Sequence, residues 1–143
     1  MPDSEFETPQ QAEEAFYRAF ELRDLDAMMQ VWSDADYIEC IHPMQDRLQG
    51  HSAIRASWAE ILKRAPEVTF RNSDPNITCQ GKLSIHVIYE ILQLGDKGLE
   101  ESRMITTNIY EKTSRGWKII MHHASPAPKQ TGRSDTATSK ILH

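Results

Sequence analysis

At Pro66 the hydrophobic period of this chain changes once, and that single change limits the fold more than any motif in it. Before it, apolar residues recur every three or four positions; after it, they alternate for about sixty residues. One block of helices followed by one block of strands predicts an α+β layout, with helices gathered on one face of a curved, mainly antiparallel sheet.

Three helices are expected. The first opens at Pro9 with Thr8 as N-cap and buries Ala12, Ala15, Phe16, Ala19 and Phe20, ending near Leu22. The second is capped by Asp24 and carries Leu25, Met28, Val31 and Trp32. A short strand, Tyr37–His42, is stopped by Pro43, and 43–49 reads as a loop. The third helix starts near Gly50, buries Ile54, Trp58, Ile61 and Leu62, and stops at Pro66. Beyond it the pattern predicts short strands over 68–71 and 77–80 and long ones over 83–94 and 99–112. A Gly95–Gly98 hairpin loop joins the long pair, and a final strand covers 117–123. Ile88, Leu92 and Ile120 are placed on the sheet face away from the helices. The division expected is an extension over 1–7, one domain over 8–125 and a Pro-, Ser- and Thr-rich tail over 126–143.

A chain of 143 residues buries enough surface to dispense with disulfides, and Cys40 and Cys79 show no CxxC or finger spacing. The acidic start lacks an apolar h-region, and no apolar run approaches the roughly 20 residues of a membrane span. A cytoplasmic protein with no membrane partner is the expectation. Sixteen basic against 21 acidic residues, net charge −5, argue against a nucleic-acid footprint. Neither GxGxxG nor a P-loop is present, the histidines lack metal-ligand spacing, and no GxSxG elbow occurs, so no cofactor and no metal are expected.

Four patterns in order carry a family resemblance: the opening amphipathic helix leading to Asp24-Leu25-Asp26-Ala27-Met28-Met29, the strand ending in His42-Pro43, Gly50-His51-Ser52-Ala53-Ile54 opening a helix, and the terminal stretch Gly116-Trp117-Lys118-Ile119-Ile120-Met121-His122-His123-Ala124-Ser125. Together they resemble the SnoaL-like branch of the nuclear transport factor 2-like superfamily, which also hosts ketosteroid isomerase, scytalone dehydratase and polyketide cyclases. The resemblance implies a cone with an apolar pocket. Carried over by position, the isomerase's catalytic aspartate falls on His42, its oxyanion tyrosine near Phe16 with Tyr17 one residue out of register, and its protonated aspartate near Thr106. Both latter departures count against steroid isomerase activity.

His42, whose imidazole titrates near neutrality, is the first candidate base. His122 and His123 must face opposite ways on a strand; with Trp117, Ile119 and Met121 on its face, His123 is placed inward. Tyr17 or His123 is the candidate proton donor, and Asp46 a candidate to orient His42. Phe16, Phe20, Met28, Trp32, Trp58, Met104, Thr106 and Met121 are the expected pocket lining. Glu39 and Arg103 read as surface residues. Two readings stay open: a small-molecule-binding protein, catalysing cofactor-free isomerisation, dehydration or cyclisation of a small apolar or cyclic substrate, or a non-catalytic binding or self-association module. In either, a homodimer through the sheet is expected.

Overall fold

The computed structural model describes residues 5–95 and 100–128. Helices α1 (Pro9–Leu22), α2 (Leu25–Val31) and α3 (His51–Arg64) pack on a sheet of strands β1 (Glu39–Ile41), β2 (Arg47–Gln49), β3 (Val68–Gln80), β4 (Leu83–Leu94), β5 (Glu100–Thr113) and β6 (Gly116–Pro126). The strand order is β2-β1-β6-β5-β4-β3, antiparallel throughout except for the parallel β1–β6 pair.

The helix starts follow local chemistry. Thr8 Oγ1 accepts from Gln11 N at 3.1 Å and Pro9 occupies the first turn, where its missing N–H costs nothing. Arg23, left-handed at φ 56, ends α1, and Asp24 at once caps α2 by accepting from Ala27 N at 3.0 Å. The core gathers Phe16, Met28, Ile38, Ile54, Trp58, Tyr110 and Ile119, all fully buried or nearly so. Each large side chain of this set stabilises the fold by roughly 1.5–3 kcal/mol.

The sheet departs from the sequence expectation in three places. Residues 47–49, read as loop, form β2 against β1, because the chain doubles back after the turn in which Gln45 N donates to His42 O. The strands read at 68–71 and 77–80 are one strand, bent by an irregularity between Ser73 and Asn76 that absorbs Asp74, at φ 50, and Pro75. A second irregularity lies where Ile109 pairs with Met121 but Tyr110 pairs with Ile119, leaving Ile120 as the extra residue. That bulge reverses the alternation beyond it. Ile119, His122 and Ala124 face the helices, whereas Met121 lies on the opposite face and His123 is exposed. The expectation that His123 and Met121 point inward is thereby corrected.

Ile88 and Leu92 were expected on the helix-free face; their pairing places them on the helix-covered one, and Ile88 is 1% exposed. Residues 96–98 of the expected hairpin loop, and the expected tail from 129 onward, lie outside the described residues. Among the described residues no helix is long and apolar enough to cross a membrane.

Candidate functional site

Strand alternation puts Ser84, His86, Ile88 and Glu90 of β4 on one face, beside Thr106, Asn108 and Tyr110 of β5 and His122 of β6. This is the face α1 covers. Six of these side chains, Ser84, His86, Glu90, Thr106, Asn108 and His122, are polar and at most 4% exposed. Buried polar groups are rarely left unpaired, and α1 supplies partners for His86, Glu90 and Asn108 from Glu13 and Tyr17, one turn apart.

Glu13 Oε2 accepts from Tyr110 Oη at 2.9 Å, from His86 Nδ1 at 3.1 Å and from Asn108 Nδ2 at 3.3 Å. His86 Nε2 meets Ser84 Oγ at 2.8 Å, completing that branch. Asn108 Nδ2 also donates to Tyr17 Oη at 3.0 Å, and Tyr17 donates onward to Glu90 Oε2 in a short bond. On its other side Asn108 Oδ1 meets His122 Nδ1 at 2.6 Å. One continuous chain therefore runs from Glu90 on β4, through Tyr17 and Asn108, to His122 on β6.

Burial sets the electrostatics. It raises the Glu90 carboxyl to about 7, helped by Glu13 and opposed by Tyr17 and by Thr106, whose hydroxyl faces Glu90 without reaching full hydrogen-bond geometry. Burial, then the charges of Glu90 and Tyr110, lifts the Tyr17 phenol well above its ordinary range. Burial lowers His42 to about 4, and burial with the neighbouring His42 and His123 lowers His122 to about 3, so both imidazoles are neutral at pH 7.

His42 is buried at the end of β1, its Nε2 3.0 Å from Ser57 Oγ and 3.6 Å from Cys40 Sγ. Its ring stands edge-on to Trp58, and Phe16 packs on both Trp58 and His122. Burial pushes the Cys40 thiol up to about 12, which leaves it a packing group. Phe20 packs on Trp58 and Phe70, Met28 is core, and Met104 is half-buried on the inner face. Trp32 lies apart, lining a separate cavity of about 430 Å³ with residues of α2 and the β5–β6 turn. Asp46 accepts from the backbone N of Arg47, a local turn contact.

A groove of about 810 Å³ opens between α1 and β3 and reaches the buried chain. Glu13, Tyr17, Phe70 and Asn72 stand on its wall, with Glu14, Arg18 and Glu21 toward its rim. Only Glu13 Oε2 is used by the inner network; Oε1 has no hydrogen-bond partner among the described residues. Among them, too, no three His, Cys, Asp or Glu side chains are grouped to hold a metal ion.

Glu90, Glu13, Asn108 and His122 were not anticipated from sequence. The only trace is the coincidence of polar residues at alternate positions of two successive strands, Ser84, His86 and Glu90, then Thr106 and Asn108.

Helices on one face of a curved mixed sheet define the cystatin-like class of α+β folds, and comparison with known proteins fixes the family. Residues 10–129 match the model of the SnoaL-like domain, and the chain belongs to that family. Its fold matches a proposed calcium/calmodulin-dependent protein kinase type II association domain from Thiobacillus denitrificans. That match has TM-score 0.82 at 36% identity and covers 87% of this chain and 99% of that one. It also matches a proposed dehydratase of the NTF2-like family from Streptomyces avermitilis, with TM-score 0.76, 26% identity, and 84% and 94% coverage. In sequence it is similar to F-box protein SKIP8 of Arabidopsis thaliana, 21% identical over 110 residues, 77% of this chain; the chain spans 46% of that relative's length.

Proposed function

We propose that this SnoaL-like chain binds a small organic molecule in the groove between α1 and β3 and transfers protons there without a cofactor, in the manner of an isomerase or lyase. The observation that carries the reading is the Tyr17–Glu90 pair. Tyr17 is on the groove wall, and behind it stands a buried carboxyl raised to about 7, where acid–base exchange at neutral pH is efficient. For elimination of water, Glu13 Oε1 takes a proton from carbon, and that electron pair forms the C=C bond. With Glu90 protonated, its carboxyl donates to Tyr17 Oη and frees the Tyr17 proton. The C–O bond breaks, the hydroxyl leaves as water with that proton, Glu90 reprotonates Tyr17, and the proton taken by Glu13 returns to Glu90 through water. His42, with its imidazole lowered to about 4 and its Nε2 held by Ser57, is a weak base away from the groove wall. The similarity to the proposed dehydratase supports this class of chemistry.

The test is a mass-spectrometric turnover screen against β-hydroxy ketones and cyclic enones. Tyr17→Phe is expected to lower any wild-type turnover by about 10²–10⁴. Turnover unchanged in that variant removes Tyr17 and Glu90 from the chemistry.

A second reading is favoured by the opposite sheet face, where Leu83, Ile85, Val87, Tyr89, Ile105, Ile109 and Met121 share one side of β4, β5 and β6. Leu83 is 44% and Ile85 40% exposed in the single chain. An apolar strip of this kind suits a second copy related by a two-fold axis, so self-association through the sheet is proposed alongside ligand binding. The name of the Thiobacillus relative, an association domain, agrees with it.

A further inference from the structure

Between the end of α2, the start of α3 and the β5–β6 turn lies a cavity of about 430 Å³, which shares no lining residue with the groove. Its volume falls within the roughly 300–1,000 Å³ of small-molecule sites. Ser33 N donates to Ile119 O at 3.0 Å, which pins the chain leaving α2 against β6 and sets Trp32 and Ser33 in the cavity wall. Lys118 reaches the same wall from β6. It is 7% exposed, donates to Gln30 O at 2.6 Å and stands 5.3 Å over the Phe6 ring, so its charge is fixed in place at the carbonyl end of α2.

Trp32 lines the cavity, and its buried indole N–H has no acceptor among the described residues, which is rare in a packed interior. The wall also carries both signs of charge. Lys118 and Arg115 share it with Asp26 and Asp34, and Asp26 lies 3.7 Å from Arg55 at the surface. The first turn of α3 adds to the positive side: His51 opens it at the cavity edge, and Gly50 offers no side-chain cap, so its N–H groups keep their partial charge. Met29 and the Trp32 ring give apolar area. A simple anion would face two carboxylates here and a simple cation two basic groups, whereas a zwitterion pairs with both. We propose that this cavity binds a free α-amino acid with an aliphatic side chain. Its carboxylate lies toward the Trp32 N–H, Lys118 and Arg115, its ammonium toward Asp26 and Asp34, and its side chain against Met29. No step of the proton transfer in the groove depends on this site.

Indole NMR of the full chain labelled with ¹⁵N-tryptophan tests this, because Trp32 lines the cavity and Trp58 and Trp117 do not. Trp32→Phe assigns the Trp32 signal. The probes are L-leucine, 4-methylpentanoate, which lacks the ammonium, and 3-methylbutylamine, which lacks the carboxylate. Leucine is expected to shift the Trp32 signal and to reach half-saturation at about tenfold lower concentration than either analogue. Arg115→Gln and Asp34→Asn, both at exposed positions and so without cost to the core, should each weaken leucine about tenfold. Equal response to all three probes, a response to the acid or the amine alone, no Trp32 shift at about 10 mM leucine, or full leucine binding in both variants would overturn the proposal. Tyr17→Phe should leave leucine binding unchanged, so this site and the groove reading fail separately.

Discussion

The two faces of the β4–β5 sheet invert the usual assignment of polarity. The face covered by helices holds His86, Glu90, Asn108 and His122, while the helix-free face carries Ile85, Val87, Ile105 and Ile109. Both faces are anomalous for an isolated domain, and in complementary ways. A buried polar group costs about 1–3 kcal/mol when unpaired, and on the inner face the α1 residues Glu13 and Tyr17 remove that cost for His86, Glu90 and Asn108. The outer face needs no such pairing and gains by removal from water, which a second copy of the sheet would provide. Polarity inside marks where chemistry is proposed; apolarity outside marks where assembly is proposed.

The contrast breaks most sharply at Trp58, the apolar roof over the inner face. Trp58→Ala is expected to cost roughly 3–5 kcal/mol in urea unfolding, since the indole is wholly buried. It should also move the His42 pKa back toward the ordinary histidine value as water enters. A loss below about 1 kcal/mol would mean that the roof is not packed as described.

Glu90 gives the next effect, and its sign is set by linkage. The carboxyl is raised to about 7 in the folded chain against 4.5 unfolded. Its contribution is therefore fully present below pH 4.5 and is lost as pH rises through 7. Glu90→Gln should remove that loss, making the variant's stability at pH 8 relative to pH 5 about 2–3 kcal/mol more favourable than the same difference in the wild type. His42 and His122, lowered to about 4 and 3, act oppositely: their contribution is full above 6.5 and falls away toward acid. An unchanged pH slope in Glu90→Gln would show that the carboxyl is not the buried acid of the pair.

The smallest effect concerns the outer face. Ile85→Lys, at a site 40% exposed, should leave the single chain's stability within about 0.5 kcal/mol, yet shift sedimentation from dimer to monomer at micromolar concentration. Equal sedimentation of variant and wild type would remove this strip from any interface.

Much of the scaffold was legible before any coordinates. Thr8, Pro9 and Asp24 mark helix starts by local hydrogen-bond chemistry, which depends on neighbours in sequence and so can be read from it. Tyr17 was named as a candidate donor, and His42 as the first candidate base. Glu90 and Asn108 escaped because a lone acid or amide on an alternating strand reads as solvent-facing. Their partners, Glu13 and Tyr17, lie 73 or more positions away in the chain.

His123 was misplaced for a different reason. The alternation of β6 is regular in sequence, and nothing in Ile119-Ile120-Met121 announces that Ile120 is the residue left unpaired opposite Ile109 and Tyr110.

The sequence alone determined the change of period at Pro66, hence three helices and then a sheet of alternating strands. Which side the helices cover was decided only in the tertiary structure. Alternation defines two faces without ranking them, and burial alone would favour the apolar one. Across the sheet, Glu13 and Tyr17 from α1 find the donors and acceptors of His86, Glu90 and Asn108, and that pairing makes the polar face the interior.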